Sequence, residues 1–477
     1  MAQNINWRND IDALTVLVGR EIESYLNELD DMPAKPPMAE ESAKSISTQF
    51  PEAGLGAVDT LRKLIILREK SAVASAGPRC FHFVVGGSTP ASMGADWLAT
   101  LYDQIAYAWV SSPLAVQLEI ISLQWLSQFF GIPKQWGSII TSGATMSNFV
   151  GLIAGRQWLG EQLGIDVAEE GLSEMPRVSV FTSGHIHAST LKALAMLGIG
   201  RGNVLSCTHD NSKDLDLNLL ESRLKEYSGA PCILVATAGE PNAGAFDPID
   251  KMASLTKKYG CWLHLDGAFG LFAKLSPRTE HLVQGLEKAD SITVDGHKWL
   301  NVPYDCGFSF VRDKSLLIKS FRYTAEYLPG PHDPEPVMGA IGPESSRRAR
   351  SFSVWATIHA YGLKGYRQLI EHHLDLAQYL EQLVNRHEQL ELLAPVLINV
   401  VCFRYNPGQR SERALNSLNK MLGDAIIKDG RVYVGFTTYQ GKTALRPAIS
   451  NWRTEKIDID LLIDVILELG QHLESED

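Results

Sequence analysis

From Ile139 to about Val311, short apolar runs rich in β-branched residues alternate with stretches of helical spacing. The strand candidates are VSVFTS, NVLSCT, CILVATA, CWLHLD, SITVD and GFSFVR. Alternation sustained over that span predicts an α/β domain with a mainly parallel sheet. Ligands of such sheets gather at the carboxyl ends of the strands, so the residues that follow each run carry the candidate chemistry.

The flanking sequence is organised differently. Residues 7 to 30 place Ile11, Leu14, Leu17, Ile22 and Leu26 near helical spacing, MPAKPP breaks the pattern, and LRKLIILREK resumes it. This predicts a helical segment over residues 1–75, whose apolar faces pack either on another subunit or on the main domain. RCFHFVVGGSTP then joins aromatic and β-branched residues to a Gly-Gly turn, a helix follows near Ala91 to Tyr107, and a longer one ends at Gly131 and Pro133. The large domain is expected over 76–362. Beyond Leu328, a Pro- and Gly-rich stretch, PGPHDPEPVMGAIGPESSRRARS, is either a mobile functional loop or a linker. A smaller α/β unit is expected over 363–477, with strands in VLINVVCFRY, RVYVGFTTYQ and TALRPAIS and a helix at its close.

Composition narrows the partners. Against 44 basic residues stand 55 acidic ones, a net charge of −11 with neither sign blocked into a tail, which argues against nucleic acid and anionic membrane surfaces. Six scattered cysteines form no C-x-x-C pair, so buried reduced thiols are expected in place of disulfides or zinc, and no metal site is predicted. The opening MAQNINWRND is polar and no apolar run nears the roughly 20 residues of a membrane span, so a soluble cytoplasmic protein is expected.

Four strand ends carry chemistry. TSGATMSNFVGLIAGR places Ser142, Gly143, Ala144 and Thr145 at a helix entry, where backbone N–H groups, the helix dipole and hydroxyls make either a phosphate cradle or an ordinary N-cap. In GHIHAST, His187 is either a core histidine or a flat plate for a ring to stack upon, and His185 shares its face in an extended segment. HLDGAFG closes a strand with Asp266, costly at an apolar strand end unless paired, and either a helix cap or the partner of a positively charged ring nitrogen. SITVDGHKWLNVPYDCG delivers Lys298 between a strand and Trp299, either as a solvated turn lysine or as an amine kept for covalent chemistry. Together these are the groups that bind pyridoxal phosphate, whose aldehyde requires a lysine and whose ring nitrogen requires an acidic partner.

With VDGHKWLNVPYDCG and WLHLDGAFG in hand, the sequence from about Pro51 onward resembles the group II pyridoxal-phosphate decarboxylases, the set with aromatic-L-amino-acid, glutamate, histidine and diaminobutyrate decarboxylases. The resemblance implies the fold type I architecture of aspartate aminotransferase, with a seven-stranded sheet in the large domain, and a homodimer with active sites at the interface. It implies Lys298 as the Schiff-base lysine, His297 and Asp295 near the phosphate, Ala144 and Thr145 in the phosphate loop, Asp266 as the pyridinium partner, Ala268 packed on the ring, and His187 as the stacking and catalytic base. Thr237 falls in the family's threonine-glycine segment, although Glu240 and Pro241 depart from its usual Thr-Thr. Members acting on aromatic amino acids carry a loop tyrosine nine residues before an Arg-Arg pair, where this chain has Met338 before Arg347, with Tyr323 and Tyr327 at the loop's start. Phe83, Val84, Tyr107 and Arg347 or Arg348 stand as candidates near the substrate, and the Gly-Gly turn at Gly86 as a determinant of which amino acid enters. The implied reaction is decarboxylation of an L-amino acid to the amine and CO2. The alternatives are oxidative deamination or transamination at the same lysine, or a non-catalytic homologue that binds the cofactor.

Overall fold

A computed structural model describes residues 10–209, 212–227, 229–323, 325–326 and 334–475. Residues 327–333, which include Tyr327 and the first five residues of the Pro- and Gly-rich stretch, lie outside the described residues. The chain divides into two compact units. One holds Gly86–Gln378 with Ala394–Cys402; the other holds the described residues up to Val85, Tyr379–Leu393 and those from Phe403 onward. The N-terminal helices and the C-terminal α/β segment, expected as separate domains, thus fall in one unit.

The larger unit is built on seven strands: β1 (Gly137–Thr141), β2 (Ser179–Thr182), β3 (Val204–Ser206), β4 (Cys232–Thr237), β5 (Trp262–Asp266), β6 (Ser291–Asp295) and β7 (Gly307–Val311), in the order β1-β7-β6-β5-β4-β2-β3. Strand β7 runs antiparallel to both neighbours and every other pair is parallel. The expected α/β class and mainly parallel sheet are therefore present. Strands β4 to β7 are buried along their whole length, which is why they read as continuous apolar runs instead of alternating ones.

Helix α1 (Pro113–Phe130) starts with proline at its first position and ends where Gly131 takes φ 71°, as the sequence predicted. Helix α2 (Ala144–Gln162) packs on β5, β6 and β7. Its Gly151 and Gly155 have no room for a side chain: an added Cβ would come within 2.8 Å of the His264 ring at one and of the Trp262 ring at the other. Close approach of helix to sheet thus depends on glycine at these two positions. Two further helices, α3 (Ala188–Met196) and α4 (Ile249–Tyr259), follow β2 and β4 in the chain.

The cysteine expectation is corrected. Strands β4 and β5 pair with Ile233 opposite Trp262, which brings the preceding residues Cys232 and Cys261 together as a disulfide. Spacing in the sequence says nothing of strand register, so the pair could not be read from it. Cys80, Cys207, Cys306 and Cys402 are buried thiols as expected, and burial pushes Cys80 and Cys207 up to about 11.

In the smaller unit, the helices Asp10–Glu28 and Ala57–Ser71 pack on each other, tied by Arg68 to Glu21. A four-stranded antiparallel sheet runs Phe436–Tyr439, Lys442–Leu445, Phe403–Tyr405, Leu390–Leu392, with helices Glu412–Asp429 and Lys456–Ser475. Its buried Arg404 is matched by Glu391 and Glu412. The apolar stretch at Phe81 forms only a two-residue strand, Cys80–Phe81, paired with Tyr433–Val434.

Candidate active site

Strand β6 ends at Asp295 and the chain turns at once through Gly296, His297 and Lys298. The turn is fixed from several sides. Trp299 is fully buried and donates its indole N–H to His373 Nδ1 at 2.8 Å. Asn301, in the left-handed region at φ 56°, donates its backbone N–H to the Lys298 carbonyl at 3.2 Å and its amide to the Trp299 carbonyl at 3.0 Å. Its own carbonyl accepts from Thr89 N at 2.9 Å and Ser92 Oγ at 3.1 Å. Lys298 is thereby presented from a rigid frame, with its Nζ 3.1 Å from Asp295 Oδ2 and 5.8 Å from the Phe269 ring centroid.

Gly86 belongs to this frame. Its N–H donates to the His297 carbonyl at 3.3 Å, and a Cβ there would stand 1.7 Å from the Lys298 carbonyl oxygen. The sequence assigned the Gly-Gly turn to substrate choice; here Gly86 lets two backbones meet behind the lysine. Gly86→Ala is expected to displace the lysine turn, costing about 1–3 kcal/mol or more of stability and most of the retained cofactor. Thermal unfolding and cofactor content after dialysis check this, and an unchanged value of both would refute it.

Asp295 gathers the next layer. Its Oδ1 accepts the Ala144 N–H at 2.5 Å and lies 3.5 Å from His297 Nε2. The ordinary-cap reading of TSGAT does not hold, since the N-cap of α2 is Gly143, at φ 144°, with no side-chain cap bond. A Cβ on Gly143 would lie 3.0 Å from the His297 ring. His297 Nδ1 accepts the Cys306 N–H at 3.1 Å, its ring stacks on Tyr304 at 4.2 Å, and burial lowers its proton affinity against the opposing pull of Asp295. The expected phosphate-end residues Ala144, Asp295 and His297 are therefore together at the N-terminus of α2, with Thr145 in its first turn.

Asp266 closes β5, one strand over. It is 4% exposed, and its Oδ2 accepts from Thr190 Oγ1 at 2.8 Å and Asn148 Nδ2 at 3.0 Å, while Oδ1 takes the Ala268 N–H at 3.3 Å. Ala268 in turn accepts from Asp295 N–H at 2.8 Å, tying the two carboxylate ends of the site together. Thr190 lies in the first turn of α3, whose N-cap is His187, exposed and holding Ser189 through Nδ1. The competing His185 is buried and lies 3.0 Å from Asp214 through Nε2, whereas His187 is exposed. Thr237 sits opposite Asp266 in the register, so the two side chains share a face, and its buried hydroxyl has no hydrogen-bond partner among the described residues.

Some candidates are placed elsewhere. Arg347 is corrected: it is buried, bonded to Glu119 at 2.6 Å and to the Ile140 carbonyl at 2.9 Å, so its charge is committed inside the protein instead of to a substrate. Arg348 bonds to Thr100 and pairs with Asp96. The Tyr107 ring lies against Gly339, where a Cβ would approach to 2.3 Å. Met338 is buried, and Tyr323 bonds to Ser345. Phe83 is exposed at φ 54° and Val84 is buried, both in the smaller unit. Glu240 spends its carboxylate on Asn242 and Ala243 within its own turn, which accounts for the departure from Thr-Thr as a structural one.

The sequence reading overlooked Asn148, Thr190 and His264. A signal existed for the last, since residues two apart on a strand share a face and His264 must accompany Asp266. Burial holds the His264 imidazole down to about 4, against the pull of Asp266. The native state then binds fewer protons than the unfolded one between about pH 4 and 6.5, so this histidine's contribution of about 3 kcal/mol is present above that window and lost as pH falls through it. Asp247, pushed up to about 6 by burial, acts in the opposite sense. Comparing urea unfolding at pH 7 and pH 5 in the native protein and in His264→Gln isolates the histidine: the variant's loss on acidification should be smaller.

These residues suit pyridoxal phosphate: a lysine on a rigid turn, a carboxylate at a neighbouring strand end, an orphaned hydroxyl on the same face, and a helix N-terminus with no side-chain cap. Among the described residues no cluster of histidine, cysteine, aspartate and glutamate could hold a metal ion, and no helix is long and apolar enough to cross a membrane. Solved structures agree on the fold: that of Oryza sativa TDC with PLP and tryptamine superposes with a TM-score of 0.90 at 23% identity, covering 99% of this chain and all of that one. An aromatic-L-amino-acid decarboxylase of Bacillus atrophaeus is 30% identical over 401 residues, 82% of this chain and 81% of its own. A phenylacetaldehyde synthase of Arabidopsis thaliana is 28% identical over 410 residues, 83% of this chain and 82% of its own. Residues 60–406 match the model of the pyridoxal-dependent decarboxylase conserved domain, and the chain belongs to that family of pyridoxal-phosphate enzymes.

Proposed function

We propose that the protein decarboxylates an L-amino acid, with Lys298 as the residue that engages the cofactor's aldehyde and Asp266 as the partner of its ring nitrogen. The observation that carries this is the common frame of the two: Asp295, ion-paired to Lys298, donates its backbone N–H to Ala268, whose own N–H is held by Asp266. Bound pyridoxal phosphate supplies an electron sink for the carbon–carboxylate bond that breaks. Asp266 would hold a proton on the ring nitrogen, His187 would stack on the ring, and Ala144, Thr145, Asp295 and His297 would hold the phosphate end. The Lys298 amine, when free, would move a proton at the substrate carbon.

The protein acts as a homodimer in this reading. The helices Asp10–Glu28 and Ala57–Ser71 leave Ile11, Leu64 and Ile66 half or more exposed, and in the larger unit Leu101 and Val110 are exposed as well; apolar surface of that extent favours burial against a second copy. Light scattering should return twice the 52.6 kDa chain mass, and a monomer would contradict it.

Radiolabelled carboxyl groups on the aromatic amino acids, dopa, glutamate, ornithine and 2,4-diaminobutyrate test the reaction, with amine and CO2 expected in equal amounts from at least one of them. CO2 from none would defeat the reading. A second outcome, oxygen-consuming release of an aldehyde, is favoured by one observation: the place of the loop tyrosine holds a buried methionine, Met338. Oxygen uptake matched to aldehyde would assign that reaction instead.

A further inference from the structure

Between α2 and the sheet runs a line of hydrogen bonds in which each donor is dictated by its neighbour. Asn148 Nδ2 lies 3.0 Å from Asp266 Oδ2, and Asn148 Oδ1 lies 2.8 Å from His264 Nε2. A carboxylate only accepts, so the amide turns its NH2 toward Asp266 and its oxygen toward His264; that oxygen only accepts, so His264 carries its hydrogen on Nε2. The neutral ring then accepts at Nδ1, from the Ser291 hydroxyl at 2.8 Å. Ser291 Oγ in turn receives the indole N–H of Trp262, a group that only donates, at 3.0 Å. The direction from Trp262 to Asp266 is unbroken.

The line has one branch: Asn148 Nδ2 also reaches Thr190 Oγ1 at 3.0 Å and Ser189 Oγ at 3.4 Å, on the same side as Asp266. Trp262, Ser291, His264, Asn148 and Asp266 are at most 4% exposed. Gly151 and Gly155 of α2 stand over His264 and Trp262 and leave them the room they fill. A protonated His264 would present a second donor to a serine already receiving the indole, and burial accordingly holds the ring neutral. At the far end, Asp266 Oδ2 is occupied by Asn148 and Thr190, whereas among the described residues Oδ1 has only the longer bond from Ala268.

We propose that His264 is a positioning residue for Asp266: its Nε2–H holds the Asn148 oxygen on the far side and so keeps the amide NH2 seated on Oδ2, leaving Oδ1 as the oxygen presented to the cofactor's ring nitrogen. This rests on the reading of Asp266 as the ring-nitrogen partner. Were His264 to lose its Nε2–H, the Asn148 oxygen would be left buried without its donor, and the amide would be held only from the side of Asp266, Thr190 and Ser189, loosening its seat on Oδ2.

Two measurements on the full-length protein test the idea. Nitrogen NMR of the apo protein labelled at histidine should show His264 as the Nε2–H tautomer at neutral pH; an Nδ1–H tautomer or an imidazolium would overturn the proposal without reference to activity. Titration with pyridoxal phosphate, followed by the absorbance of the bound cofactor, should show His264→Leu weakening binding about tenfold to a hundredfold and shifting the spectrum toward the form with an unprotonated ring nitrogen. His264→Gln, which can donate to Asn148 and accept from Ser291, should restore most of both. If His264→Leu does not fold, Ser291→Ala instead removes the hydroxyl that donates to Nδ1 and so supports the Nε2–H form, and should move both in the same direction. Asp266→Asn is the control: if it binds and absorbs as the native protein does, the reading of Asp266 fails. If it is impaired while His264→Leu and Ser291→Ala are not, only the proposal for His264 fails.

Discussion

Lys298→Ala should lose at least about a thousandfold in turnover, the scale of a positioned proton-transfer group removed together with the covalent anchor, and should lose the absorbance of lysine-bound cofactor and its sensitivity to borohydride. The expectation follows from geometry. The lysine is the one residue of the site that combines an amine with a turn held by Trp299, Asn301 and Gly86, and among the described residues its Nζ has a single carboxylate partner in Asp295. Removing it leaves Asp295 with Ala144 N–H and His297, so the fold should survive, and an unchanged unfolding transition would confirm that the loss is chemical. Small exogenous amines should return part of the activity, because the space of the side chain opens where the amine is needed. A variant that keeps a borohydride-reducible cofactor would transfer the role to another lysine.

Much of this site was legible in the sequence for a reason. Asp266, Asp295 and Lys298 stand at or just beyond the ends of buried strands, and in an open α/β sheet the strand ends converge by topology, so local patterns suffice to gather them. Asn148 and Thr190 were not legible, since their role depends on how two helices seat against the sheet and nothing in GATMSN or GHIHAST distinguishes them from ordinary helix residues. Cys232 and Cys261 meet through strand register, which spacing does not encode. The N-cap of α2 was misread for a related reason: Ser142 and Thr145 have the chemistry of caps, yet the residue in the capping position is Gly143. The domain borders drifted because contacts between segments far apart in the chain, not composition along it, set the units.

Arg347 shows the same limit most sharply, and it supports a second large effect. In SRRARS it has the look of a solvated basic run, but its partner Glu119 lies 228 residues earlier and both side chains are 1% exposed. Glu119 also accepts the Ile140 N–H at 3.0 Å while Arg347 donates to the Ile140 carbonyl, so the pair clamps β1 at both backbone polar groups of one residue. Breaking the pair from either end strands a buried charge, and Glu119→Leu or Arg347→Met should each cost about 3–5 kcal/mol in denaturant unfolding. Replacing both should cost far less than the sum, because no charge is then left unpaired. Glu119→Gln with Arg347→Met should do best, since the glutamine oxygen still serves Ile140 N–H. The double variant also separates the two roles given to this arginine. If Arg347 only clamps β1, KM for the amino-acid substrate stays within about twofold of the native value once stability is recovered. A large rise in KM in the stable double variant would return Arg347 to the substrate site.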